Sequence, residues 1–234
     1  MPALALYAFV LLVPTARGTV YAFTDWDGLS QTFDFVGIRN FEAIFASPDA
    51  VKAIVNTLLI AFITTAVANV IGLLLAVALN AAIKSRNVLR VLFFAPAVLT
   101  PVVTAYLFQY IFAPLGPLNG VFDAAGLPML KQDWLGDANL ALVSIMIVIV
   151  WQQSGYAMVI YLAGLQGIPA ELLEAGAVDG AGPIRRFWHI TRPLLAPAIT
   201  ISVMLILIHG LKVFAEVWVM TGEVRATRLT PSQP

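Results

Sequence analysis

Five stretches of this 234-residue chain, 3–23, 53–79, 88–113, 139–163 and 195–220, are apolar almost without interruption. A run of about twenty such residues spans the ~30 Å hydrocarbon core of a bilayer when coiled as a helix. The runs are continuous rather than alternating, which excludes barrel strands, and helices satisfy their own backbone groups in lipid. With 60% hydrophobic and 11% charged residues, the chain cannot cover itself with an ordinary water-facing surface. The fold class is therefore all-α, a polytopic bundle of membrane helices whose surroundings are lipid. Ala3 to Val13 has the length of a signal-peptide core, but no basic leader precedes it and the apolar run continues to Phe23, so it reads as the first span. A formal net charge of zero gives no basis for nucleic-acid binding. The absence of cysteine excludes a disulfide framework and a thiolate metal site. His189 and His209 stand too far apart in sequence, and without acidic or histidine neighbours at ligand spacing, to form a metal site.

Basic residues orient the bundle. Lys84, Arg86 and Arg90 lie between spans two and three, and Arg185, Arg186 and Arg192 between four and five, while the other two inter-span loops hold only Arg39, Lys52 and Lys131. Positive residues collect on the cytoplasmic side, so the loops between spans two and three and between spans four and five are expected inside, with the N-terminus. The loops carrying Asp25, Asp27, Asp34, Asp49, Asp123, Asp133 and Asp137 then face outward.

Between spans four and five lies a polar island, Glu174-Ala175-Gly176-Ala177-Val178-Asp179-Gly180, followed by Ile190, Arg192 and Pro193. Pro169 suits the start of a helix, Leu172, Leu173, Ala175 and Val178 form one apolar face, and Gly180 permits the positive φ of a sharp stop. Ile184 to Ile190 reads as a second short amphipathic helix, with Pro193 and Pro197 opening the next span. Glu174 and Asp179 offer charge-assisted contacts, and the small residues 175–177 allow close docking against another surface. The spacing of this island, Glu-Ala-Gly, three residues, Gly, nine residues, Ile-Thr-Arg-Pro, resembles the cytoplasmic loop of ABC importer permeases, with Gly176 and Arg192 standing where Ala and Leu are usual. FTDWDG at 23–28, FVGIRNF at 35–41, LFFAPAVLTPVV at 92–103, WLGDANLAL at 134–142 and VFAEVWVMTG at 213–222 are similar to the carbohydrate-type subfamily.

That resemblance implies a membrane-spanning permease subunit of an ATP-driven importer for a sugar or related polar solute. Its loop 164–194 would act as a coupling segment, with Glu174, Ala175, Gly176, Asp179, Gly180, Ile190 and Pro193 meeting an ATPase. The implied partners are a second permease subunit, two ATPase subunits, an extracytoplasmic solute-binding protein and the lipid of a bacterial or archaeal inner membrane. No phosphate-cradling loop occurs in the chain, so it is read as no enzyme and as holding no cofactor, with ATP and magnesium handled by the partner.

Polar residues inside the spans mark the expected solute path. Trp151, Gln152, Gln153 and Tyr156 form a polar knot midway along span four, with the amide and aromatic groups that bind polyhydroxylated ligands. Helix-to-helix hydrogen bonding is the alternative role for them. Lys212 and Glu216, spaced i to i+4 in span five, are expected on one face as a mutually neutralising pair. An ion-coupled secondary transporter would use Lys212, Glu216 or Arg17 as titrating groups, but five spans without an inverted repeat speak against it. The related permeases continue after this motif into a sixth core helix, whereas residues 223–234 here are polar and contain proline. The expectation is a permease domain over 1–222, a disordered tail over 223–234 and a truncated subunit, an inactive remnant being one outcome.

Overall fold

In the computed structural model, the described residues are 2–30, 32–81 and 84–229, with side chains described as far as Gly222. The chain divides into two compact units, residues 1–56 and 57–234. The first contains α1 (Pro2–Tyr21), a 20-residue helix without a buried residue, which includes a π turn at Ala8–Leu12, and the short α2 (Arg39–Ala46). Between them the two motifs noted at 23–28 and 35–41 meet. Thr24 and Phe35 form an isolated antiparallel bridge, and Asn40 Nδ2 donates to the carbonyls of Ala22 (3.0 Å) and Thr24 (2.7 Å), so the loop returns to the end of α1.

Helix α3 (Pro48–Asn80) is long enough to cross a bilayer with residues to spare and runs from the first unit into the second. Then come α4 (Arg86–Val98), α5 (Pro101–Ile111), α6 (Pro117–Ala124) and α7 (Ala138–Gln166). The loop helix is α8 (Ala170–Val178), followed by α9 (Pro183–Leu211) and α10 (Ala215–Leu229). Among the described residues, four helices pass as membrane spans by length and composition, or five if α4 and α5 count as one.

The sequence reads as one helical span each over 88–113 and 195–220, and both are broken. The third bends by 97° between α4 and α5. Pro101 holds Thr100, the residue before it, in the extended region (ψ 147°), and Leu99 is extended beside it (ψ 139°). The fifth stops at Leu211 and restarts at Ala215, so residues 213 and 214 lie in the break and 215–222 belong to α10, which packs on α5 and α7. The tail expected to be irregular from 223 remains helical to Leu229, and residues 230–234 lie outside the described residues.

Two apolar clusters hold the second unit together. One joins α3, α7 and α9 through Ala68, Ala76, Met158, Tyr161, Leu195 and Ile206; the other joins α3, α5, α7 and α10 through Ile60, Ala105, Val148, Ile149 and Met220. Helices in lipid lack a hydrophobic drive toward one another, so small residues that permit close contact decide where they pack. A Cβ on Gly155 would stand 2.2 Å from the Phe93 carbonyl oxygen, and one on Gly72 2.4 Å from Ala157 Cβ. These glycines set α7 directly against α4 and α3.

Candidate functional site

The loop between α7 and α9 is locked by its own backbone. Gly180 adopts φ +76°, and as α8 ends, the Gly180 amide donates to the Ala177 carbonyl (3.1 Å) and the Ala181 amide to the Gly176 carbonyl (2.9 Å). These two bonds form a Schellman stop, which requires the left-handed conformation that glycine adopts at little cost. Arg186 on α9 donates through Nη1 to the Leu173 carbonyl (3.3 Å) and so ties the two loop helices together.

Glu174, Ala175, Asp179 and Gly180 are exposed on this loop. Gly176 is not available to a partner: it is buried, and a Cβ there would stand 2.6 Å from Ile190 Cδ1. Gly176 and Ile190 therefore pack against each other inside the chain, and the exposed surface of α8 and its cap includes Glu171, Leu172, Glu174, Ala175, Ala177, Val178 and Asp179. The second loop helix is not a separate element either. Helix α9 passes from Pro183 through Pro193 and Pro197 to Leu211, with a π turn at Phe187–Thr191 immediately before Pro193. The wider turn shifts the hydrogen-bond register where proline brings no N–H, so the helix absorbs the residue expected to start it afresh. Pro193 is exposed on this helix.

Within the spans, the polar knot of α7 separates into distinct roles. Gln152 is 4% exposed, and its Nε2 donates to the Leu99 carbonyl at 2.7 Å, the group freed where α4 breaks before Pro101. Irregular backbone at membrane depth persists only where its polar groups are satisfied, and Gln152 supplies that bond. Gln152, Gln153 and Tyr156 then line an open pocket of about 340 Å³ together with Ala97, Leu99, Pro101, Leu205 and His209. Trp151 does not join them. It meets Phe108 edge-on at 5.2 Å and borders an apolar groove between α3, α4 and α7.

The expected Lys212–Glu216 pair is absent. The two would face each other on a continuous helix, but the chain breaks between them and Lys212 stands exposed with no carboxylate partner among the described residues. Glu216, 2% exposed, instead approaches His209 (Oε1 to Nε2, 3.5 Å). Seven residues of unbroken helix would separate their backbones by about 10.5 Å, so the break is what allows the approach.

A second polar centre escaped the reading of the sequence. Asn69 Oδ1 on α3 accepts from the Tyr161 hydroxyl on α7 (2.5 Å) and from Ser202 Oγ on α9 (2.7 Å), while its Nδ2 donates to the Thr65 carbonyl (2.7 Å). All three side chains are buried. Isolated polar residues within apolar runs were the available signal, but their mutual proximity exists only after the helices pack. At the N-terminal end of α7, Asn119 gathers the Gln132 amide (3.3 Å) and the Trp134 indole N–H (3.0 Å), and Asp137 caps α7 by accepting the Asn139 and Leu140 amides, both at 2.9 Å. These bonds account for the segment 134–142.

Comparison with known proteins gives this geometry a context. Residues 68–232 match the family described as the binding-protein-dependent transport system inner membrane component. The multiple sugar-binding transport system permease protein MsmF of Streptococcus mutans is 36% identical over 209 residues, covering 89% of this chain and 71% of that protein. The probable ABC transporter permease protein YurN of Bacillus subtilis is 35% identical over 225 residues, 95% of this chain and 77% of its own. The fold is also found in the crystal structure of a bacterial alginate ABC transporter in complex with a periplasmic protein bound to an alginate pentasaccharide. There the TM-score is 0.76 at 21% identity, over 97% of this chain and 78% of the other.

Proposed function

Because the chain belongs to the inner membrane components of binding-protein-dependent transport systems, we propose that it is one membrane-spanning half of an ATP-driven importer for a sugar or similar polar solute. It pairs with a second permease subunit and two ATPase subunits, receives solute from an extracytoplasmic binding protein, and catalyses no reaction itself. The membrane is the inner membrane of a bacterial or archaeal cell, with the N-terminus in the cytoplasm. The sugar-transport permeases among its relatives support the solute class, and the basic residues flanking α8 support the orientation.

The observation that carries the coupling role is α8 itself. It is a short helix with a fixed stop, tied back to α9 by Arg186, and it presents Glu174, Ala175 and Asp179 outward between two spans. A rigidly mounted surface can transmit the closing of two ATPases to the helices behind it, whereas a slack loop cannot. The pocket lined by Gln153 and Tyr156 is the segment of the solute path that this chain contributes, with Gln152 holding its wall.

The test is site-directed crosslinking in the assembled complex. Cysteine at Glu174 or Asp179 should crosslink to cysteines in the surface groove of the ATPase subunit and do so differently with and without ATP. Crosslinks from Asp27→Cys on that subunit, with none from Glu174→Cys, would refute the assignment.

A further inference from the structure

We infer that His209, set by the buried Glu216, reads solute hydroxyls in the α7–α9 pocket and that the solute is uncharged; this rests on the pocket being part of the path. Nε2 of His209 and Oε1 of Glu216 face each other at 3.5 Å, both atoms are buried, and neither has another hydrogen-bond partner among the described residues. Among the described residues each is therefore the other's counterpart. The imidazole itself reaches the pocket wall beside Gln153, Tyr156 and Leu205, with 31% of its side chain exposed. With Nε2 turned to the carboxylate, Nδ1 is the nitrogen left for a ligand. A neutral ring giving its Nε2 proton to Glu216 carries a lone pair at Nδ1, which pairs with a donor. A sugar or polyol hydroxyl is such a donor, and the carboxamide of Gln153 and the phenol of Tyr156 extend the same set of partners.

Electrostatics narrows the solute further. The pocket lining contains no lysine or arginine, and Lys212 does not border it. The one titratable group on the wall with a charge behind it is backed by a carboxylate. With Glu216 ionised, the His209–Glu216 pair carries a net charge of minus one beside a neutral ring and zero beside a protonated one. A carboxylate or phosphate entering this half of the path would lose its water without meeting a cation. Glu216 is thus a positioning and charge-excluding residue, and His209 the contact.

The experiment uses the complete transporter, with its partner subunits and binding protein, in proteoliposomes supplied with ATP. Uptake from a mixed library of neutral saccharides and polyols alongside uronates and sn-glycerol 3-phosphate is read by mass spectrometry. Neutral solutes should accumulate and anions should not. His209→Leu should raise the KM for the accumulated solute at least tenfold in a complex that still assembles, and His209→Asn should restore part of the loss. Glu216→Leu should raise KM in the same way, and Glu216→Gln should keep KM near the parent value while admitting anions. Accumulation of an anion by the parent transporter overturns this inference alone, as does an unchanged KM in His209→Leu beside a raised KM in Gln153→Ala or Tyr156→Phe. An unchanged KM in all of these variants removes the pocket from the path as well.

Discussion

Gln152 shows how a residue chosen for its ligand chemistry acts first on the backbone. Its amide satisfies the Leu99 carbonyl at the break between α4 and α5. Gln152→Leu would leave that carbonyl unpaired at membrane depth, which costs about 1–3 kcal/mol. The variant should melt at lower temperature in detergent, and unchanged melting would show that the carbonyl finds another donor. Asp27 makes a second prediction outside the spans. Its carboxylate accepts from the Ser30 and Leu29 amides and from the Ser30 hydroxyl, and the Ser30 and Leu29 amide bonds are the main cause holding its pKa below the ordinary aspartate value. A carboxyl with a depressed folded pKa stabilises its fold above the unfolded pKa and loses that stabilisation as pH falls through the folded one. Hydrogen exchange at Leu29 and Ser30 should thus be slow at neutral pH and accelerate, relative to the intrinsic rate, only below the ordinary aspartate range. Acceleration at higher pH would contradict it.

At the level of single elements, glycines and breaks govern. The Schellman stop of α8 needs φ +76° at Gly180. Gly180→Val forces a β-branched residue into that region at about 1–3 kcal/mol, and it should reduce ATPase association or transport in the full complex. Normal transport by that variant would show that the stop is not needed. The break between α9 and α10 is not written in local sequence, because no proline or glycine occupies 212–214. It is instead marked by Glu216, whose burial next to His209 a continuous helix would forbid. Gly155 sits under the Phe93 carbonyl. Gly155→Leu should force α4 off α7, lowering stability in detergent by several degrees or preventing assembly, and an unaffected protein would mean that the helices can part at no cost.

For the whole molecule, orientation is the property that gives every other feature its side of the membrane. Since the chain has no native cysteine, single cysteines report it cleanly. An impermeant thiol reagent added outside intact cells should leave Ser85→Cys and Thr191→Cys unlabelled and should modify Asp27→Cys and Asp133→Cys. Labelling of Ser85→Cys from outside would invert the arrangement and remove α8 from the ATPase side.

Apolar run length and the spacing from Glu174 to Pro193 sufficed to identify a helical membrane protein of this family, because span length and loop punctuation are local properties of a chain. The motifs at 23–28, 35–41 and 134–142 were equally visible, and each proved to be a set of polar side chains tying a loop to a helix end. Which polar groups meet was not legible. Asn69, Tyr161 and Ser202 are separated by up to 133 positions, and only packing places them within hydrogen-bond distance. The i to i+4 rule paired Lys212 with Glu216 on the assumption of an unbroken helix, and the break reassigned Glu216 to His209. Spacing along one helix is fixed by the sequence, but partners across helices are fixed by where small residues let backbones approach and by which buried polar groups have no water to turn to.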